Sequence, residues 1–264
     1  MHMYLDFGLF KVPGYGTMIL TGIFIANIIV ILLINLRDKT EVWDFVILEG
    51  FGLLGAIIGS KLLYIIVSFN DIPWDRITEP EVLKSIIGGG FVFYGGLILA
   101  IIFVMLGAKI NKINAMDYLN KYAFAIALAH GFGRIGCYMA GCCYGIPYDG
   151  PLSVIYPEES LIAPSGVPMF PVQLVEAGCL FVIAIVLFVL YWKNKTDFVL
   201  PIYFILYGIV RFVLEFYRYD EYRGKYLWLY TSQWISIVLV VVGVVMIIYK
   251  VNKRKKAKIN SNIN

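Results

Sequence analysis

Several ionisable side chains interrupt otherwise apolar stretches of this chain, among them Glu49, Lys61, His130, Arg134, Glu176, Arg211 and Glu215. A charge at the centre of a membrane helix costs about 2.5–3.5 kcal/mol on insertion scales, so each is a candidate for function. Arg134 lies in His130-Gly-Phe-Gly-Arg134-Ile-Gly-Cys137-Tyr-Met-Ala-Gly-Cys142-Cys143-Tyr-Gly145. On a helix His130, Arg134 and Cys137 share one face at i, i+4, i+7, and Gly133 and Gly136 let another backbone or a ligand come close. The second arginine lies in Tyr207-Gly-Ile-Val-Arg211-Phe-Val-Leu-Glu215-Phe-Tyr-Arg218-Tyr-Asp220, where Arg211, Glu215 and Arg218 repeat the same spacing. Two guanidiniums on separate helices make a clamp for a phosphate, because the planar fork binds phosphate bidentately and keeps its charge. In a lipid-facing cavity that phosphate belongs to a phospholipid headgroup. The plainer alternative is that Arg211 and Glu215 only neutralise each other along one turn, and that Glu49, near a helix end, snorkels.

The cysteines are Cys137, Cys142, Cys143 and Cys179. Adjacent cysteines argue against a secreted disulfide framework. The pattern H-x6-C-x4-C-C offers soft ligands, but neighbouring cysteines hold one tetrahedral ion awkwardly and no second ligand pair follows. The expectation is therefore no metal and no cofactor, with the cysteines serving as small packing residues. A nearby arginine could instead depress a thiol pKa and make one a nucleophile.

These residues must be positioned by membrane helices. Of 264 residues 60% are hydrophobic and 15% charged, with a mean hydropathy of +0.80. Soluble chains run at roughly 45–50% apolar and about 25% charged. A span needs about 20 apolar residues, and seven occur, over 17–36, 44–69, 86–107, 117–140, 171–192, 198–217 and 230–250. The fold class is thus all-α, a polytopic membrane protein of seven helices and a single domain with a basic cytoplasmic tail at 250–264. Glycines at 88–90 and 95–96 predict that the third span is broken or re-entrant. A second glycine cluster, Gly131 to Gly145, marks this half as the place for a central, lipid-accessible cavity. A net charge of +4 is no nucleic-acid footprint. No cleavable signal peptide is evident, so the first helix is expected to remain as an anchor. The loop over 145–170 carries five prolines and is expected to cover the outer face.

At this point a family resemblance appears. Gly133-Arg134-Ile-Gly-Cys137-Tyr-Met-Ala-Gly-Cys142-Cys143-Tyr-Gly145 resembles the signature of the prolipoprotein diacylglyceryl transferase family. Five other stretches agree in order: Val12-Pro-Gly-Tyr15-Gly16, Gly59-Ser-Lys61-Leu-Leu-Tyr64, Gly89-Gly-Phe-Val-Phe-Tyr94-Gly95-Gly96-Leu, Phe170-Pro-Val-Gln173-Leu-Val-Glu176, and Arg211 to Asp220, followed by Thr231-Ser232-Gln233. The resemblance covers nearly the whole chain. It implies a seven-helix enzyme of the bacterial inner membrane. Such an enzyme moves the diacylglyceryl group of phosphatidylglycerol onto the lipobox cysteine of a signal-peptide-bearing prolipoprotein, with glycerol phosphate leaving. It makes Arg134 and Arg211 the essential arginines, with Tyr94 or His130 handling the proton. Tyr15, Lys61, Gly95, Gly96, Cys137, Cys142, Gly145, Gln173, Glu176 and Glu215 are then the expected substrate-binding set.

The chain departs from the usual signature. Asn usually stands at Cys137 and Ala140, Glu at Cys142, Arg at Lys61, and His at Tyr94, and the resemblance implies that this histidine, or a neighbouring group, takes the acceptor's proton. A phenol, with an ordinary pKa near 10, is a poorer base at neutral pH. The phosphate clamp survives while the acceptor side has changed. Two rival readings follow, a same-fold transferase with another acceptor and a non-enzymatic binder or flippase of anionic lipid.

Alternate loops carry twelve Lys and Arg on one side, counting Arg37, Lys39, Lys109, Lys112, Lys193, Lys195 and six of the tail, against six on the other. Positive charge stays cytoplasmic, so the amino terminus is expected outside and the carboxyl terminus inside. A reporter fused after Asn264 should therefore be cytoplasmic and one inserted near Pro157 external. A cytoplasmic signal at Pro157 would invert this orientation.

Overall fold

The computed structural model describes residues 4–6, 8, 11–158, 160, 162–219 and 224–261. Asp220 and Arg223, which entered the motif and loop-charge readings, lie outside them, as does the end of the tail at 262–264. Eight α-helices are present among the described residues: α1 (Gly14–Leu33), α2 (Val42–Val67), α3 (Pro80–Gly88), α4 (Phe93–Asn111), α5 (Ala115–Ala140), α6 (Val172–Trp192), α7 (Val199–Leu214) and α8 (Thr231–Ser261). Seven of the helical segments are long and apolar enough to cross a membrane, over 14–38, 42–67, 93–111, 115–140, 172–192, 196–217 and 231–256. Three antiparallel strand pairs complete the chain: β1 (Tyr4–Asp6) with β2 (Lys11–Pro13), β3 (Val154–Ile155) with β4 (Pro168–Met169), and β5 (Lys225–Tyr226) with β6 (Leu229–Tyr230).

The chain divides into two compact units, Met1–Leu33 with Leu119–Asn264, and Ile34–Tyr118. Within the second, α2 and α4 cross closely. A Cβ on Gly59 would collide with the Gly95 carbonyl, and one on Gly55 with the backbone of Leu99. Gly55 and Gly59 form the small-xxx-small pattern that lets membrane helices touch through their backbones. Gly95 and Gly96 are buried in this same crossing, against Gly59 and Ala56.

The third span is broken, as its glycines predicted. Pro80 opens α3 at the helix start, where a missing N–H costs nothing. The helix stops at Gly88, Gly90 adopts φ +64°, and α4 begins only at Phe93, seven residues later than the span read from sequence. A left-handed backbone favours glycine, and a Cβ at Gly90 would run into the Tyr64 ring. Lys61 secures the break. Its ammonium donates to the Ile86 and Gly89 carbonyls and sits 4.4 Å from the Phe91 ring centroid. Unsatisfied carbonyls at a helix end inside a bilayer are costly, and a buried-stem lysine answers them.

In the first unit α1 lies on α5 where Gly22 faces the Ala129 backbone and Gly136 faces the Tyr15 carbonyl. α6 follows Pro171 directly. α7 gives way after Leu214 to a tighter 3₁₀ turn over Glu215–Tyr217, and Arg218 is extended.

The α2–α4 crossing yields a paired prediction. Gly59→Ala should lower the stability of the detergent-solubilised protein by about 1–3 kcal/mol, the usual cost of overpacking. Gly50→Ala on the same helix, where nothing lies within 4 Å of the added methyl, should be neutral or stabilise by up to about 1 kcal/mol through helix propensity. Denaturant titration followed by circular dichroism would check both; equal effects would mean that the crossing is loose.

Candidate active site

The arginines singled out in the sequence meet through a glutamate. α5 carries Arg134, α6 carries Glu176 and α7 carries Arg211. Arg134 Nη2 lies 2.9 Å from Glu176 Oε1, and Arg211 Nη1 lies 3.4 Å from Glu176 Oε2. The chain of pairs continues: Arg211 Nη2 is 3.0 Å from Glu215 Oε2, and Arg218 Nη1 is 3.7 Å from the same oxygen. The side chains of Arg134 and Glu176 are only 12% and 2% exposed. The expected helical repeat of Arg211, Glu215 and Arg218 breaks at Leu214, yet Glu215 still joins both arginines because the tighter turn keeps it between them.

Burying five charged groups is tolerable only when they are paired and hydrogen-bonded. Here one carboxylate, Glu176, serves two guanidiniums. Arg134 also has a buried Nε–H without a hydrogen-bond acceptor among the described residues. A buried donor left unpaired costs about 1–3 kcal/mol, so Arg134 has capacity for another anionic or polar group. The Tyr207 hydroxyl donates to Glu176 Oε1 at 3.4 Å. The His130 ring meets Tyr207 edge-on, with centroids 4.9 Å apart and an interplanar angle of 64°. His130 therefore stands beside the ion network, one helical turn before Arg134.

The loop after α5 is held to the network by backbone bonds. Ile146 N–H donates to the Tyr217 carbonyl at 3.0 Å, Phe170 N–H to that of Ile146 at 2.9 Å, and Tyr219 N–H to that of Tyr144 at 3.1 Å. Gly145 pairs with Arg218, and a Cβ there would strike the Phe170 and Tyr217 carbonyls. Its role in this structure is close backbone approach. Gln173 is sealed in. Its amide Nε2 donates to the Cys142 carbonyl at 2.8 Å, and the Tyr156 hydroxyl donates to its Oε1 at 3.1 Å. Burial pushes the Tyr156 phenol up to about 12, so it remains a neutral donor. Gln173 thus fixes the turn that carries the cysteines.

Cys137 lies in the last turn of α5, and the sulfurs of Cys137, Cys142 and Cys143 lie within 4.8 Å of one another. All four cysteines are free thiols. Gly141 and Cys143 adopt φ +66° and +58°, and the turn between them brings neighbouring side chains back to one place. The Cys137 and Cys142 thiols, followed by Arg218 and Arg134, hold the Cys143 thiol well below its ordinary range. Tyr15, at the start of α1, is half-exposed and within electrostatic range of these cysteines and Arg134.

Tyr15, His130, Arg134, Cys137, Cys142, Gly145, Gln173, Glu176, Arg211 and Glu215 therefore belong to one unit, in which ion pairs join Arg134, Glu176, Arg211 and Glu215 and Gln173 is bonded to the Cys142 carbonyl. Lys61, Tyr94, Gly95 and Gly96 belong to the other unit. There Tyr94 is partly buried in the first turn of α4, its ring edge-on to Phe93 at 5.6 Å. Sequence reasoning missed Tyr156 and Tyr207. Tyr207 stands one turn before Arg211, a spacing that could have exposed it; Tyr156, in a proline-rich loop, gives no such signal.

A family model described as prolipoprotein diacylglyceryl transferase matches residues 2–249. A phosphatidylglycerol–prolipoprotein diacylglyceryl transferase of Clostridium tetani is 38% identical over 90% of this chain and 92% of its own length. The second such enzyme of Clostridium perfringens is 37% identical over 96% and 95%, and that of Francisella tularensis subsp. novicida 31% identical over 96% and 94%. With the arginine pair and its surrounding motifs in place, the chain belongs to the prolipoprotein diacylglyceryl transferase family.

Proposed function

We propose that this chain is a phosphatidylglycerol–prolipoprotein diacylglyceryl transferase of the bacterial inner membrane. The relatives carry that name. The observation that supports it most is the sharing of Glu176 by Arg134 and Arg211 with a buried Nε–H of Arg134 to spare. A phosphodiester supplies the acceptor oxygens for that donor and for the outer edges of both guanidiniums. A signal-peptide-bearing prolipoprotein supplies the thiol, and both substrates enter a lipid-accessible cavity from the bilayer.

In the reaction the acceptor sulfur attacks the glycerol carbon that bears the phosphate. A C–S bond forms, the C–O bond breaks, and glycerol phosphate leaves with the bonding electron pair. Charge grows on the departing phosphate oxygen, and guanidiniums already held in place by Glu176 and Glu215 would stabilise it electrostatically without reorganising. Glu176 and Glu215 position the arginines. The thiol proton passes to a base, for which His130 and Tyr94 are the candidates. Gln173 and Gly145 act by holding the loop after α5, and Lys61 by holding the end of α3.

The direct test supplies phosphatidylglycerol micelles and a lipobox peptide with a free cysteine, and measures glycerol phosphate release together with the mass of the thioether product. Binding of the lipid without release would favour a lipid binder; release with a different acceptor only would favour the same-fold transferase.

Two further outcomes are expected. Arg134→Lys should reduce turnover on the order of 10²-fold or more, nearly as far as Arg134→Ala, because an ammonium keeps the charge and loses the fork. Retention of most activity by the lysine variant would show that a point charge suffices. Glu176→Gln should destabilise by about 3–5 kcal/mol, since removing one member of a buried ion network strands the others. The loss should be smaller in phosphatidylglycerol micelles than in a neutral detergent, because the phosphate replaces the missing negative charge. Equal melting temperatures in both would separate the network from lipid binding.

A further inference from the structure

The three-cysteine cluster is not used by the reaction above. Three sulfurs lie within 4.8 Å of one another, on the end of α5 and the turn that follows. For metal–sulfur bonds of about 2.3 Å, three thiolates around one ion stand about 4.0 Å apart. Shifts of well under an ångström per side chain would complete that triangle. No other His, Cys, Asp or Glu among the described residues joins the group. The donor set is therefore three soft sulfurs without a fourth partner, which suits a trigonal ion better than a tetrahedral one. Adjacent cysteines, read from spacing alone, looked awkward for one ion. The left-handed backbone at Gly141 and Cys143 removes that objection by folding both sulfurs back towards Cys137.

The surroundings add to this. Gln173 fixes the Cys142 carbonyl at 2.8 Å, so the turn is anchored from α6 independently of its sulfurs. Tyr144, Tyr156, Ala163 and Met169 form a buried cluster with Tyr138 packed against it, an apolar flank on the segments that bracket the cysteines. Three thiolates around a monovalent cation leave two negative charges, and Arg134 and Arg218 are electrostatic neighbours of Cys143.

We infer that Cys137, Cys142 and Cys143 form a three-thiolate site for a soft monovalent metal ion of the cuprous class. Binding forms three metal–sulfur bonds and releases the protons of whichever sulfurs were thiols; no electron is transferred. Its nearest ligand, Cys137, lies three residues beyond Arg134, the arginine that the transferase reading assigns to the phosphate.

The test uses the full chain, reduced and solubilised in detergent, titrated with cuprous ion against a chromophoric cuprous chelator. A single ion should be bound per chain, with X-ray absorption showing three sulfur neighbours. Cys137→Ser, Cys142→Ser and Cys143→Ser should each lose stoichiometric binding, while Cys179→Ser keeps it. Should any variant fail to fold, alkylation mass spectrometry on the unaltered chain decides. Cuprous ion should protect the three clustered cysteines and leave Cys179 as reactive as before. Failure to take copper from the chelator, retention of copper by the triple serine variant, equal protection of Cys179, or tighter binding of zinc than of cuprous ion would each overturn the proposal.

Discussion

Everything in the first unit is arranged around one electrostatic constraint: Glu176 must lie between two arginines that belong to different helices. In low-dielectric surroundings an unpaired guanidinium is far more costly than one in water, so α5, α6 and α7 cannot slide against one another without exposing a bare charge. The contacts at 2.9 and 3.4 Å thereby set the register of three helices whose apolar surfaces would tolerate several. Hydrophobic packing is a weak guide inside a bilayer, where lipid tails are as apolar as leucine. The ion network and the small-residue crossings supply the specificity that the apolar surfaces lack.

The two units meet this need by different means. In the second, glycines let α2 and α4 approach through their backbones, and an ammonium closes the exposed carbonyls of a broken span. In the first, charged side chains bridge helices and a web of backbone bonds ties the loop over 144–148 to the segments at 168–170 and 217–219. Lys61 shows how a residue can sit at a family motif position and serve the fold. Its amine is committed to the Ile86 and Gly89 carbonyls.

Much of this was legible in the sequence. Long apolar runs carry membrane helices by length and composition, which is why seven spans were found within a few residues of their observed ends. In the third span the glycines at 88–90 marked the break, but apolar residues on both sides hid where the spanning helix starts, at Phe93. The arginines were legible as charges in costly places. Glu176 was legible in the same way, as an intramembrane charge that could orient the arginines; that one carboxylate bridges both was not, since it lies 42 and 35 positions away from Arg134 and Arg211 and no local periodicity links them. The Arg211, Glu215, Arg218 spacing predicted the right pairing on the wrong geometry, a helix that in fact tightens after Leu214. Gathering of the cysteine sulfurs escaped spacing arguments for a similar reason: two left-handed residues decide it, and one of them, Cys143, is not a glycine.

The loop seam has a bearing on how such a sequence can drift. Its connections run between peptide groups, at Ile146, Phe170, Tyr217, Tyr219 and Tyr144, so they are indifferent to the side chains displayed at 137, 140 and 142. Side chains at these positions can be exchanged while the Arg134 guanidinium one turn earlier stays aligned. A scaffold built this way separates two heritable traits, the recognition of phosphate and the chemistry offered to whatever approaches beside it. The second is free to be rewritten within a lineage without first losing the first.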